Sequence, residues 1–190
     1  MSLPILAHLV RDKASEPGDA TILTFVDVDR DGRYTEETRS YRKLWSHGQA
    51  LARWLASRGL AKDDRFAVMM ANHPEFVDLM VASSILGTVF VPIDPRSRGD
   101  KLRFMLEFAG CRGVFAGPEA LPALDELWGD GRSGGRFVVT VAPVDAQYGL
   151  DDIPGIVAAH GAAVDLPIAS TDPRAPMVLL YTSGTTGDPK

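Results

Sequence analysis

Residues 65–93 read RFAVMMANHPEFVDLMVASSILGTVFVPI, and this stretch decides the predicted fold. Residues 65–71 are a short, mostly apolar run, which is typical of a buried strand. Pro74 suits the first turn of a helix, and apolar side chains then cover most of the helix circumference up to Gly87. Residues 88–93 form a second apolar and partly β-branched run. A strand, a buried helix and another strand in this order predict a parallel β-α-β unit.

The same alternation continues on both sides of this unit. Towards the C-terminus it predicts three helices: one that starts at Ser97 or Asp100, one over 118–128 and one over 153–160. It also predicts strands at 112–116, 136–142 and 177–180. Towards the N-terminus it predicts a helix over 4–13, a hairpin with strands at 20–28 and 33–39, and a helix that Ser40 caps and Gly59 ends. The predicted fold class is therefore α/β, with a mostly parallel sheet and helices on both faces. The last strand, 177–180, is expected to be rigid and buried between helices.

The composition excludes several classes of protein. The 190 residues suffice for one domain or one and a half, and 45% hydrophobic with 24% charged residues is typical of a globular protein. A net charge of −5 argues against nucleic acid as the main partner. The sequence has no apolar run of membrane-spanning length, so no integral membrane segment is expected. Its single cysteine, Cys111, excludes an internal disulfide framework and indicates a reducing, cytoplasmic location.

Residues 181–190, YTSGTTGDPK, combine four serine and threonine hydroxyls with two glycines, a proline and a lysine. Such a segment cannot build a core, but its glycines let the backbone approach a ligand closely. Backbone N–H groups, hydroxyls and one positive charge are suited to a polyphosphate. The segment is not a Walker A loop, because Pro189 stands where the second glycine of that pattern would fall, counted from Gly184.

The same residues closely resemble the phosphate-binding signature of the adenylate-forming, or AMP-binding, enzymes. That signature reads aromatic or Leu, Thr/Ser-Ser-Gly, Thr/Ser-Thr-Gly, any residue, Pro-Lys-Gly, and the sequence matches it as far as Lys190. Four further segments resemble the family: 40–44, 59–68, 72–76 and 86–95. Within them, Asp63 stands where the family usually has glycine, and Thr88 stands where alanine is common. The resemblance spans roughly residues 4–190 and is closest to acyl-CoA ligases.

The resemblance implies a two-step reaction. A small-molecule carboxylic acid attacks the α-phosphate of ATP with the help of Mg²⁺, which gives an acyl-adenylate and pyrophosphate. The acyl group then passes to a thiol, either that of coenzyme A or that of a carrier-protein pantetheine. Thr182 is also a possible Mg²⁺ ligand, and no catalytic residue of the family falls within the chain. The residues that the resemblance assigns to the β- and γ-phosphates are Thr182, Ser183, Gly184, Thr185, Thr186, Gly187 and Lys190.

Residues 1–190 are accordingly interpreted as the N-terminal portion of an AMP-binding domain, without the rest of that domain and without the small C-terminal domain. Such a piece is expected to be inactive alone. The first choice for the parent protein is an acyl-CoA ligase for a small or fatty carboxylic acid. Two alternatives stay open: an amino-acid-activating adenylation domain of a peptide synthetase, and a non-catalytic nucleotide-binding or interaction module.

The remaining motifs have simpler interpretations. Residues 129–134 fit G-x-G-x-x-G but follow a helix, so they are predicted to be a surface turn rather than a dinucleotide site. The four histidines lack metal-ligand spacing, and Cys111 is predicted to be a buried structural thiol. The basic group Arg96, Arg98, Lys101 and Arg103 is expected to be a solvated helix face. Without nucleotide, residues 182–190 are expected to be mobile because they have little apolar surface to bury.

Overall fold

The computed structural model describes residues 4–29, 31–129, 135–145, 149–161, 163–169 and 172–182. The described helices are α1 (Leu6–Ala14), α2 (Tyr41–Ser57), α3 (Pro74–Leu86), α4 (Gly99–Phe108), α5 (Leu121–Trp128) and α6 (Ile153–His160). The strands are β1 (Thr21–Val28), β2 (Tyr34–Ser40), β3 (Arg65–Met69), β4 (Val89–Pro92), β5 (Cys111–Ala116), β6 (Phe137–Thr140) and β7 (Asp151–Asp152).

The main sheet is parallel and has the strand order β4-β3-β5-β6-β7. Alternate residues of β3 face opposite sides, as the two-residue period of a strand requires. Phe66 and Val68 contribute to an apolar layer with α1, α2, α3 and α6. Ala67 and Met69 contribute to a second layer with α4 and α5. The α/β class with helices on both faces is therefore confirmed.

Helix α2 packs closely against both the sheet and α3. The ring of Trp54 meets Phe115 and Phe137 edge to face, with centroid distances of 5.8 and 5.0 Å. Gly48 lies where α2 crosses α3, and a Cβ there would come within 2.5 Å of Val81 Cγ1. A small residue at position 48 thus sets how near the two helices approach.

The β1–β2 hairpin forms its own antiparallel sheet and is attached to the body by a buried arginine. Arg39 is 1% exposed and donates to both carboxylate oxygens of Asp78, which is fully buried, with Nη2 3.0 Å from Oδ2. Arg39 also donates to Glu75 and Glu37, and Asp78 lies 2.9 Å from His47 Nδ1. Arg39 of the hairpin and Asp78 of α3 therefore form a buried ion pair, flanked by Glu37, Glu75 and His47. These five residues are here called the Arg39 cluster.

Side chains of α2 hold the connection that follows α6. Gln49 is fully buried, and its amide both donates to the Leu166 carbonyl and accepts from the Leu166 N–H, at 3.1 and 2.8 Å. Arg53 donates to the carbonyls of His160 and Val164. Within the described residues no strand pairs with this irregular stretch, so these side-chain bonds satisfy its backbone groups.

Most predicted elements are confirmed, including the Ser40 cap, whose Oγ accepts from Lys43 N at 3.2 Å, and the left-handed Gly87 that ends α3. Some boundaries were wrong. Helix α4 begins at Gly99 rather than at Ser97 or Asp100, and α5 begins at Leu121, three residues after the predicted start. Strand β7 was not predicted, because two acidic residues carry no strand pattern; Asp152 also caps α6 by accepting from Gly155 N.

The predicted buried strand at 177–180 is the main correction. Among the described residues one bridge forms there, between Val178 and Phe90, and Val178 and Leu180 are 37% and 64% exposed. The segment lies against β4 at the edge of the sheet, where only one of its sides meets the body. An apolar run of four residues does not distinguish such an edge segment from a central strand.

Candidate functional site

The strand order places a topological switch point beside β3. From β3 the chain reaches β4 through α3 on one face of the sheet, and from β4 it reaches β5 through α4 on the other face. Ligands of open α/β sheets bind at the carboxyl ends of the strands where the connections diverge in this way. The loops that follow β3, β4 and β5 therefore define the candidate site.

These three loops are tied together by two charged side chains. Glu119, after β5, accepts a hydrogen bond from the backbone N–H of Ala71, after β3, at 3.2 Å. Arg98 donates to the carbonyls of Pro95 and Glu119 at 2.7 and 2.8 Å, which joins the loops after β4 and β5. Gly117 makes room for this arrangement, because a Cβ there would lie 2.6 to 2.8 Å from the Glu119 carboxyl group. The edge is thus held by side chains as well as by the sheet.

Asp94, near the start of the loop that follows β4, is paired with Arg96. Arg96 Nη2 and Nε lie 2.8 and 3.0 Å from the two carboxylate oxygens, and the Arg96 backbone N–H also donates to Asp94. The side-chain hydrogen bond from Arg96, supported by that backbone bond, lowers the pKa of Asp94 to about 2. Two arginines of the predicted basic face, Arg96 and Arg103, therefore have aspartate partners, the second at 4.0 Å from Asp100.

Residues 177–182, here called the C-terminal segment, run parallel to β4. Both backbone groups of Phe90 bind this segment. Its N–H donates to Met177 O and its carbonyl accepts from Leu179 N, each at 3.1 Å. The phenol of Tyr181 donates to the Met105 carbonyl of α4 at 2.6 Å. Burial is the main cause of a raised pKa for Tyr181, so the phenol stays protonated and can donate at neutral pH. The direction of the segment is that of β4, from the amino edge towards the carboxyl edge.

The sequence-predicted phosphate site can be located only in part. Thr182 is described, and it is exposed at the end of the C-terminal segment. The predicted mobility of the loop beyond Thr182 concerns residues outside the described part of the chain. Six members of the predicted phosphate site lie there too: Ser183, Gly184, Thr185, Thr186, Gly187 and Lys190. Their role as phosphate ligands stays a prediction.

Sequence reasoning missed Arg98, Glu119 and the tie made by Tyr181. Arg98 was interpreted only as part of a solvated face, although its guanidinium donates to three backbone carbonyls, those of Pro95, Ser97 and Glu119. Tyr181 was matched only as the aromatic position of the signature. The pattern of a signature indicates residue type, whereas a hydrogen bond to α4 depends on how the sheet places two distant elements.

The remaining candidate groups are structural. Cys111 is buried, as predicted, and burial raises its pKa to about 12, so its thiol is a weak nucleophile at neutral pH. Within the described ranges, no cluster of three or more His, Cys, Asp or Glu side chains is arranged to hold a metal ion. No helix in the described part of the chain is long and apolar enough to cross a bilayer.

The parallel α/β sheet, with its connections diverging beside β3, and the Ser/Thr/Gly-rich signature that follows it fit the class of adenylate-forming enzymes. The family model described as "AMP-binding enzyme" matches residues 10–190. The chain therefore belongs to the AMP-binding enzyme family.

Similar proteins come from more than one branch of this family. The chain is 30% identical over 161 residues to a long-chain-fatty-acid–CoA ligase, FadD13, of Mycobacterium tuberculosis, covering 83% of the chain and 30% of the ligase. It is 27% identical over 186 residues to the nonribosomal peptide synthetase NPS2 of Ceriporiopsis subvermispora, covering 96% of the chain and 7% of the synthetase.

A solved structure shows the same fold. The adenylation domain of a carboxylate reductase from Mycobacterium chelonae superimposes with a TM-score of 0.76 at 24% identity, covering 99% of the chain and 34% of that structure. The chain thus spans about a third or less of the length of each of these three proteins.

Proposed function

We propose that the protein to which these residues belong activates a carboxylic acid with ATP and Mg²⁺, forms an acyl-adenylate and pyrophosphate, and transfers the acyl group to coenzyme A. The observation that carries this proposal is the family match over residues 10–190, which includes the phosphate-binding signature. The FadD13 ligase, at 30% identity, supports the choice of a coenzyme A ligase. A small or fatty acid is the proposed substrate class.

The proposed chemistry needs charge neutralisation, because an anionic carboxylate must approach an anionic phosphate. In the proposal, the hydroxyls of Ser183, Thr185 and Thr186 and the backbone N–H groups at Gly184 and Gly187 hold the β- and γ-phosphates. Lys190 adds a positive charge, which stabilises the pyrophosphate as it leaves.

Thr182 suits the proposed role of a Mg²⁺ ligand. Its hydroxyl oxygen is a hard donor of the kind that Mg²⁺ prefers, and the side chain is exposed. Mg²⁺ in nucleotide sites is usually bound by one or two protein oxygens together with substrate phosphates, so a single hydroxyl is compatible with such a site. When bound, the ion would withdraw negative charge from the phosphates.

A second function is favoured by a specific observation. The match to the peptide synthetase NPS2 covers 96% of the chain, more than the 83% covered by the match to FadD13. An amino-acid-activating domain that transfers its product to a carrier-protein thiol is therefore the alternative. A non-catalytic nucleotide-binding module is the third possibility, and it predicts ATP binding without adenylate formation.

The test is ATP–pyrophosphate exchange by the full-length protein, with panels of short, fatty and amino acids. Exchange with acids that lack an amino group, followed by release of an acyl-coenzyme A thioester, is the expected result. Exchange with amino acids alone would favour the alternative, and ATP binding with no exchange would favour the non-catalytic module. We also propose that residues 1–190 alone are only the N-terminal part of the AMP-binding domain; exchange by these residues in isolation would contradict that.

A further inference from the structure

A cleft lies between the outer half of the hairpin and the loop that follows β3. At the base of the hairpin, the cross-strand pair Leu23 and Arg39 packs against the body, with Leu23 on the apolar layer and Arg39 on Asp78. Farther out, β1 and β2 are mostly exposed and border a cavity of about 640 Å³, which is within the usual size of a ligand site. This cavity is here called the hairpin cleft.

The lining of the hairpin cleft is acidic. Asp27, Glu36 and Glu37 line it, and no lysine or arginine is among its described lining residues. Glu37 already accepts a hydrogen bond from Arg39, but its side chain is 51% exposed and can accept from a second cation. Such a lining repels ATP, pyrophosphate and carboxylates and attracts positive charge. The hairpin cleft is therefore unsuited to the anionic ligands of the proposed function.

The strand register gives two of these carboxylates a defined spacing. Phe25 pairs with Glu37 and Asp27 pairs with Thr35, so these four residues share one face of the hairpin. Asp27 and Glu37 are diagonal neighbours on that face, a relation that places two residues about 7–8 Å apart. Phe25 is next to both of them. In an extended peptide, side chains two residues apart point the same way and are separated by about 6.6–6.8 Å, which nearly matches this diagonal.

We propose that the hairpin cleft is a docking site for an extended, basic segment of a partner protein, in which one apolar residue separates two arginines. The guanidinium groups meet Asp27 and Glu37, and their apolar stems cover the ring of Phe25. The residue between them points the other way, towards the wall that includes Ala71 and Pro74. This inference does not depend on the proposed function, and it places the partner against the loop after β3.

The first test compares three capped peptides that carry a neutral fluorophore, by fluorescence anisotropy with the full-length protein at low ionic strength. The probe is Gly-Arg-Leu-Arg-Gly. Gly-Arg-Arg-Leu-Gly has the same composition and charge, but its adjacent arginines point to opposite sides, so it should bind about threefold more weakly. A third peptide, with glutamine in place of both arginines, should show no saturable binding.

A matched pair of variants locates the site. Asp27→Asn removes one charge but keeps an acceptor for the backbone N–H of Val28, so the hairpin should stay folded and the dissociation constant of the probe should rise about two- to fivefold. Asp100→Asn removes the same charge from an exposed position on α4, which packs on the other face of the sheet, and should leave that constant unchanged.

Three results would each overturn the inference. Equal binding of the two arginine peptides would show that spacing is not recognised, and equal effects of Asp27→Asn and Asp100→Asn would show attraction by net charge alone. Binding of free arginine amide as tight as that of the probe would indicate a site for small cations instead. None of these measurements involves adenylate formation, so a failure here and a failure of the proposed function are distinguishable.

Discussion

The hairpin and the C-terminal segment are both attached to the same α/β body, but by opposite physical means. The hairpin is attached through buried charges, Arg39 at 1% and Asp78 at 0% exposure, which are costly to separate. The C-terminal segment is attached through two backbone bonds at Phe90 and one phenol, next to exposed Leu180. The hairpin attachment serves stability. The segment attachment relies on neutral hydrogen bonds, so its loss should cost less stability than loss of the buried ion pair.

The largest effect is expected from Asp78→Ala. This change leaves Arg39 buried without its bidentate partner, so the free energy of unfolding should fall by about 3–5 kcal/mol, as for other broken buried pairs. Urea denaturation monitored by tryptophan fluorescence would measure it. Asp12→Ala is the control, because the Arg11–Asp12 pair is exposed and should contribute almost nothing. A loss no larger than that of the control would show that the buried pair does not hold the hairpin.

Lys190→Ala tests the other side of the comparison. Loss of a charge-assisted bond to phosphate, about 1.5–3 kcal/mol, should raise the KM for ATP roughly 10- to 100-fold in the full-length protein. The melting temperature should barely change. Lys101→Ala, on the exposed face of α4, is the matched lysine control. A large fall in melting temperature with unchanged ATP kinetics would mean that Lys190 is a structural residue.

Acid should weaken the Arg39 cluster through Glu37. Burial raises the pKa of Glu37, but the hydrogen bond and charge of Arg39 outweigh it, so the net pKa is lowered. The stabilisation from Glu37 is therefore present above the ordinary glutamate pKa and is lost as the pH falls through the lowered value. Glu75 affects stability in the opposite direction, because burial raises its pKa. Its ionisation therefore costs stability as the pH rises through that raised pKa.

Two glutamine variants separate these contributions. Glu37→Gln should lower stability at pH 7 and reduce the loss of stability between pH 5 and 3, since its carboxylate no longer titrates. Glu75→Gln should lose less than Glu37→Gln at pH 7. Denaturation midpoints across this pH range would measure both, and parallel pH profiles for the two variants would contradict the assignment.

The smallest effect is expected from Leu180→Ala. Leu180 lies in the C-terminal segment but is 64% exposed, so its removal should change the free energy of unfolding by less than about 0.5 kcal/mol. The same denaturation experiment would measure it. A loss similar to that of a core leucine would show that this part of the segment is buried in the intact protein.

Patterns of short range predicted most of the fold. The start of α2 follows from a serine cap, the two ends of α3 from a proline and a left-handed glycine, and the start of α6 from an aspartate cap. Each of these signals acts within a few residues. The strand order, the hydrogen bond of Tyr181 to α4 and the exposure of residues 177–180 depend on contacts between distant parts of the chain. Periodicity in a sequence does not carry that information. The phosphate signature was predictable as a pattern, but only Thr182 of it has a described position.

The bridge between Phe90 and Val178 joins residues 88 positions apart, a separation that has a consequence for how the protein folds. Contacts this distant in sequence are entropically expensive to close and tend to form late. Strands β3 to β6 and their helices lie between or before these two residues and can assemble first. We therefore expect the C-terminal segment to dock after that surface has formed. Substitutions in it should accelerate unfolding while leaving the folding rate nearly unchanged.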